Sequence, residues 1–197
     1  VLATITLAIS PGPDNIFVLV QSIVNGKKYG LATVLGLMTG CIIHTTLVAF
    51  GVSEIIKQSP NLFFIIKLFG AGYLLYLAYQ VYKSDASITF STDNVEKKPT
   101  QDLFKKGFWM NVLNPKVTIF FLAFFPQFLF SETISNVIQF YVLGGLFILT
   151  SFVIFSSIAL LAGSISDYIK QNDKVGVYLK WMQIIVFVLI AGLILIP

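Results

Sequence analysis

The sequence predicts an all-α membrane protein: six transmembrane helices as two inverted three-helix halves, the first helix of each half broken at a proline motif. Three observations predict it. The 197 residues are 56% hydrophobic and only 11% charged, with a mean hydropathy of +0.86, whereas soluble domains carry about 25% charged residues. Apolar runs recur at the length a bilayer demands, about 20 residues for a core of about 30 Å. Two of these runs are interrupted, at Ser10-Pro11-Gly12-Pro13-Asp14-Asn15 and at Asn111-Val112-Leu113-Asn114-Pro115-Lys116.

The spans fall at 1–24, 31–53, 62–82, 107–130, 136–163 and 177–197. The first run passes through its break without a basic leader or a small-residue cleavage site, so it reads as a span and not as a signal peptide. It opens at Val1, which leaves open whether residues precede it. The second carries Gly36 and Gly40, a small-xxx-small pair suited to close helix packing, together with Cys41 and His44. Tyr73, Tyr76, Tyr79 and Tyr82 recur along the third, and the last two, beside Lys83, read as an interfacial belt. A polar stretch from Lys83 to Lys106 separates the halves, giving 1–83, a cytoplasmic linker at 84–106, and 107–197. The fourth span holds the second break. Thr150, Ser151, Ser156 and Ser157 give the fifth a polar strip that either faces a cavity or bonds to backbone carbonyls.

All thirteen basic residues are lysines, and they cluster in the first, third and fifth connections. The positive-inside rule then places those connections in the cytoplasm and both termini outside. Three spans per half reverse the second half relative to the first, so any likeness between halves is an inverted repeat. The net charge of +4 is carried at the ends of apolar runs and forms no continuous basic face, which argues against a nucleic-acid partner. One histidine and one cysteine cannot build the usual zinc sites, and no glycine-rich phosphate loop occurs. No catalytic constellation, cofactor or metal site is therefore expected.

The two breaks carry the chemistry. Asp14 lies thirteen residues before Lys27 and Lys116 ten after Lys106, about 19 and 15 Å of helix at 1.5 Å per residue. Both depths fall near the middle of the bilayer, along oppositely directed helices. A membrane segment tolerates such breaks only where protein or a wet cavity surrounds them, and paired broken helices point to a transporter's binding site. Ser10-Pro11 and Asn114-Pro115 have the form of an N-cap followed by proline at the first helical position. Each would open a half-helix whose free N–H groups favour a carboxylate. Asp14 suits a first turn with no substrate present, whereas Lys116 sits on the wrong end of its own helix dipole and needs a partner, unless it snorkels to the interface. The candidate substrate-binding residues are Ser10, Gly12, Asp14, Asn15, Asn111, Asn114 and Lys116. Asp14 and His44 are the candidates for proton coupling.

At these residues the chain resembles the LysE/RhtB family of bacterial amino-acid exporters. Ser10-Pro11-Gly12-Pro13 is similar to that family's opening signature, continuing into Asn25-Gly26-Lys27-Lys28-Tyr29-Gly30 and Gly36-Leu37-Met38-Thr39-Gly40, with His44 where many members carry a histidine. Lys67 to Leu74 resembles the third-span pattern, and Phe108 to Lys116 followed by Phe125-Pro126-Gln127-Phe128 the second signature. The resemblance implies a multi-pass inner-membrane exporter of amino acids or their derivatives, driven by the proton motive force, with a homodimer as one assembly open to it. A small amino-acid-like solute and the lipid bilayer are then its partners. The alternative is a passive channel, or another non-transport membrane protein, in which the breaks are structural.

Overall fold

The computed structural model describes residues 2–10, 12–85, 97–172 and 174–196, and no strand occurs among the described residues. The first apolar run forms α1 (Leu2–Ile9) and α2 (Pro13–Val24), bent by 58°. Asn25 and Gly26 turn the chain, with Gly26 at φ +104°, a conformation that a Cβ disfavours. The second run is continuous: α3 (Lys27–Leu47), a π turn (Val48–Val52) and α4 (Ser53–Gln58). α5 (Pro60–Lys83) is the third. The fourth comprises α6 (Thr100–Val112), α7 (Pro115–Ile119), a second π turn (Phe120–Phe124) and a 3-10 turn (Phe125–Phe128), with a bend of 49° at the break. α8 (Asn136–Leu160) and α10 (Lys174–Leu195) are the fifth and sixth, with α9 (Ala162–Gln171) between them. Among the described residues four stretches are long and apolar enough to span alone, and counting each of the two bent pairs as one span gives six.

Several boundaries differ from the sequence reading, the sixth span for one beginning at Lys174 and not at 177. The second span runs from Lys27 to Ile56 and not 31–53, because the exposed Lys27 and Lys28 begin the helix before its apolar part. The fifth ends at Leu160, short of 163. Its helix stops at Leu161, and α9 follows as a separate element with Ser166 buried and Asp167 and Tyr168 exposed. α6 starts at Thr100, directly after Pro99, so the end of the expected linker is helical while residues 86–96 lie outside the described residues.

The three-helix halves do not pack as separate bodies. α3 lies most extensively against α6, α5 against α10, and α3 also against α8, so the main pairings cross from one half to the other. Lipid tails are as apolar as leucine, so helices in a bilayer associate through close contact between small residues. The α3–α6 crossing is built this way. A Cβ on Gly36 would lie 2.0 Å from Phe104 O, and one on Gly107 2.4 Å from Thr33 O. Gly40 lets Asn111 approach: a Cβ there would fall 2.8 Å from Asn111 Oδ1.

Two apolar clusters fill the interior. The larger gathers Phe120, Phe121, Phe124, Phe125, Phe140, Phe147 and Phe187 with their aliphatic neighbours. The smaller contains Ala8, Val18, Val34, Leu37, Met38, Phe155 and Ala159. The polar residues of the two breaks lie where these clusters meet.

Candidate functional site

Each break releases backbone carbonyls, since a helix that stops leaves its last acceptors without N–H partners. At the first, Ala8 O accepts from Asn15 Nδ2 at 2.7 Å, so a side chain beyond the break closes the end of α1. Ser10 O accepts from Lys116 Nζ at 3.2 Å. At the second, Asn111 O would ordinarily bond the N–H of residue 115, which is proline and has none. It accepts instead from Asn114 N and from His44 Nε2, each at 3.0 Å. A carbonyl only accepts, so His44 Nε2 carries the hydrogen.

Lys116 thereby finds a favourable dipole. It opens α7, where a cation is unfavourable, but its ammonium reaches the C-terminal end of α1, where a cation is stabilised. The same Nζ stands 5.6 Å from the centroid of the Phe187 ring, within cation–π range. The snorkelling alternative is not what the fold adopts.

Asn114 links the two breaks. Its Oδ1 accepts from Lys116 N at 3.0 Å, capping α7, and its Nδ2 donates to Asp14 Oδ2 at 2.8 Å. Asp14 is buried in the first turn of α2. No ion pair within 4 Å joins Asp14 to Lys116; Asn114 links the Asp14 carboxylate to the Lys116 backbone N–H. The cap expected at Asn114-Pro115 is present, whereas the expected Ser10-Pro11 cap is not. Pro11 lies outside the described residues, and α2 is capped by Gly12 ahead of Pro13, with no side-chain bond. Either proline could have opened the helix by its missing N–H, and the chain uses the second.

Asp14, Asn15, Asn111, Asn114 and Lys116 line one cavity of about 30 Å³ together with Leu37, Met38, Cys41, Phe147 and Ser151. Ser10 and Gly12 adjoin it: Ser10 is fully buried, and a Cβ on Gly12 would lie 3.8 Å from Lys116 Nζ. All seven predicted binding residues therefore converge. His44 is also buried but stands behind the cavity, against Asn111 O and 5.6 Å from the Phe121 ring. The two coupling candidates are joined through the second break, Asp14 by the Asn114 side chain and His44 by Asn111 O, which also receives Asn114 N.

The cavity has about the volume of one liquid water. Around it Ser10 Oγ, Ser151 Oγ and Asn111 Oδ1 are buried without a hydrogen-bond partner, the last beside the Cys41 thiol, at most a weak donor, and elsewhere Ser53 Oγ and Ser156 Oγ are too. Ser151 was legible only as one member of the polar strip on the fifth span. Ser157, on that strip, bonds instead to Val153 O. Lys67, which the sequence reading did not single out as a site, is buried apart from this centre and donates to Ile196 O at 2.9 Å, serving the end of α10. Among the described residues no group of three or more His, Cys, Asp or Glu side chains could hold a metal ion.

The LysE type translocator profile matches residues 5–196. The chain belongs to that family. The translocator is 32% identical over 169 residues, 86% of this chain and 81% of the relative, to a homoserine/homoserine lactone efflux protein of Salmonella typhimurium. The protein of that name from Salmonella typhi matches to the same extent. An uncharacterized membrane protein of Vibrio cholerae serotype O1 is 31% identical over 176 residues, 87% of this chain and 83% of its own. No solved structure matches. The chain is thus a membrane protein of a translocator family.

Proposed function

We propose that the translocator binds a small zwitterionic amino acid or derivative between its two breaks. It then exports this solute across the bacterial inner membrane, coupled to the proton motive force. The observation that carries this reading is the convergence of Asp14, Asn114 and Lys116, drawn from both halves, on one small cavity. The substrate carboxylate takes Lys116 Nζ from Ser10 O and meets the N–H groups opening α2. Its ammonium takes Asp14 from Asn114 and meets the released carbonyls of Ala8 and Ser10.

The cavity admits no amino acid as it stands, so loading requires the helices around it to part, with groups of helices moving about the fixed centre. His44 supports the coupling role: its Nε2 is committed to Asn111 O, leaving the other ring nitrogen to take up a proton. Lysine placement supports a cytoplasmic face at the first, third and fifth connections, with both termini outside.

Cells expressing the protein and loaded with dipeptides should release the excess amino acid faster than cells without it. Lys116→Ala and Asp14→Asn should each abolish the gain at unchanged protein level. Efflux like that of the unaltered protein from both variants would overturn the site.

A further inference from the structure

A second, half-open recess lies beside the polar cavity and is far larger, about 620 Å³ against about 30 Å³. Its walls are the start of α1, the aromatic run from Phe120 to Phe128, the first half of α8 and the last turns of α10. Its lining is apolar except for Thr4 and Thr6. One side chain belongs to both cavities. Phe147 is 6% exposed, packs on Phe120 and Phe121 at centroid distances of 5.5 and 4.9 Å, and lines the polar centre on one side and the chamber on the other. Val117 on the polar side and Phe120 on the chamber side are a single turn apart on the fourth span.

The recess opens to the bundle surface through Leu146, Leu189 and Leu193, so acyl tails can also enter it. Its volume and composition are those of small-molecule pockets, which are mostly apolar with a few polar groups. The polar centre supplies groups for a carboxylate and an ammonium but has almost no room for a side chain. The space continuous with it, once one ring turns aside, is the chamber.

We infer that this chamber receives the apolar side chain of the exported amino acid while its zwitterion occupies the polar centre, and that Phe147 is the partition that moves to join them. The inference rests on the export reading above. It makes the translocator selective for solutes with an extended apolar tail over those of alanine size.

The test uses purified protein and a series of L-amino acids sharing one head group: alanine, norvaline, norleucine and 2-aminooctanoate. Their dissociation constants are read from the rise in melting temperature with ligand concentration. Each added methylene should tighten binding about fourfold, equivalent to about 0.8 kcal/mol. D-2-aminooctanoate, which partitions into detergent or lipid equally well, should not bind. Leu146→Trp and Leu193→Trp, each filling the chamber from a different wall, should shrink the ratio of the alanine to the aminooctanoate constant at least tenfold. A flat series with measurable alanine binding would overturn the inference and mark the chamber as a lipid recess. Equal binding of the D and L forms, or a ratio unmoved by both fillings, would overturn it too. Failure of every member, alanine included, would reject the export site itself.

Discussion

The bond between Asn114 and Asp14 is the most exposed point of the reading, because it joins the breaks. Asn114 has two roles, separable by substitution. Its Oδ1 caps α7 through Lys116 N at 3.0 Å, and such a cap contributes about 1 kcal/mol. Its Nδ2 donates to the buried Asp14 carboxylate at 2.8 Å, a charge-assisted bond of about 1.5–3 kcal/mol. Asn114→Ala loses both and should destabilise by about 2.5–4 kcal/mol, whereas Asp14→Asn retains an acceptor for Nδ2 and should cost about 1 kcal/mol or less. The decisive measurement is a double-mutant cycle with Asp14→Ala and Asn114→Ala, followed by reversible unfolding in mixed micelles. The coupling energy should fall near 1.5–3 kcal/mol. Additivity within about 0.5 kcal/mol would mean that the two residues do not hold each other, and the breaks would lose their link.

Three further outcomes follow from the same geometry. Pro115→Ala returns the missing N–H to Asn111 O, and should raise the melting temperature while cutting efflux at least tenfold by straightening the 49° bend; normal export from a straightened helix would refute this. Gly36→Val places side-chain carbons against Phe104 O, whose distance from a Cβ would be 2.0 Å, and should leave little folded protein after gel filtration in detergent. Gly72→Ala, with nothing within 4 Å, should behave like the parent, and equal tolerance of both would contradict the α3–α6 crossing. In proteoliposomes, an outside-acid gradient should accelerate efflux by the unaltered protein. His44→Gln, which keeps a donor for Asn111 O, should export at one rate with or without the gradient, and retained acceleration would remove His44 from the coupling path.

The spans and both breaks were legible because bilayer thickness fixes the length of an apolar run and proline marks where hydrogen bonding fails. The convergence of Asp14 and Lys116 was legible as depth, since helix rise converts residue number into distance from the lysine-rich ends. What depth cannot supply is direction around the helix. Lys116 reaching the end of α1, and His44 serving the carbonyl orphaned by Pro115, depend on which faces of α2, α3 and α7 meet. Gly36 and Gly40 carried that information in part, but a small-residue pair names a close neighbour without identifying it. The π turns at Val48–Val52 and Phe120–Phe124 left no mark in composition, since each inserts one extra residue into an otherwise ordinary apolar helix.

Asp14 and Lys116 bring opposite formal charges to the same cavity, and a zwitterion adds none. The membrane voltage exerts about 2.3 kcal/mol per elementary charge per 100 mV on whatever crosses it, so under the proposed function the Asp14–Lys116 pair and a zwitterion together present it with no net charge at this cavity. An additional proton would then be what couples the voltage to this site, and the proposed export would be electrogenic only to the extent that one rides along.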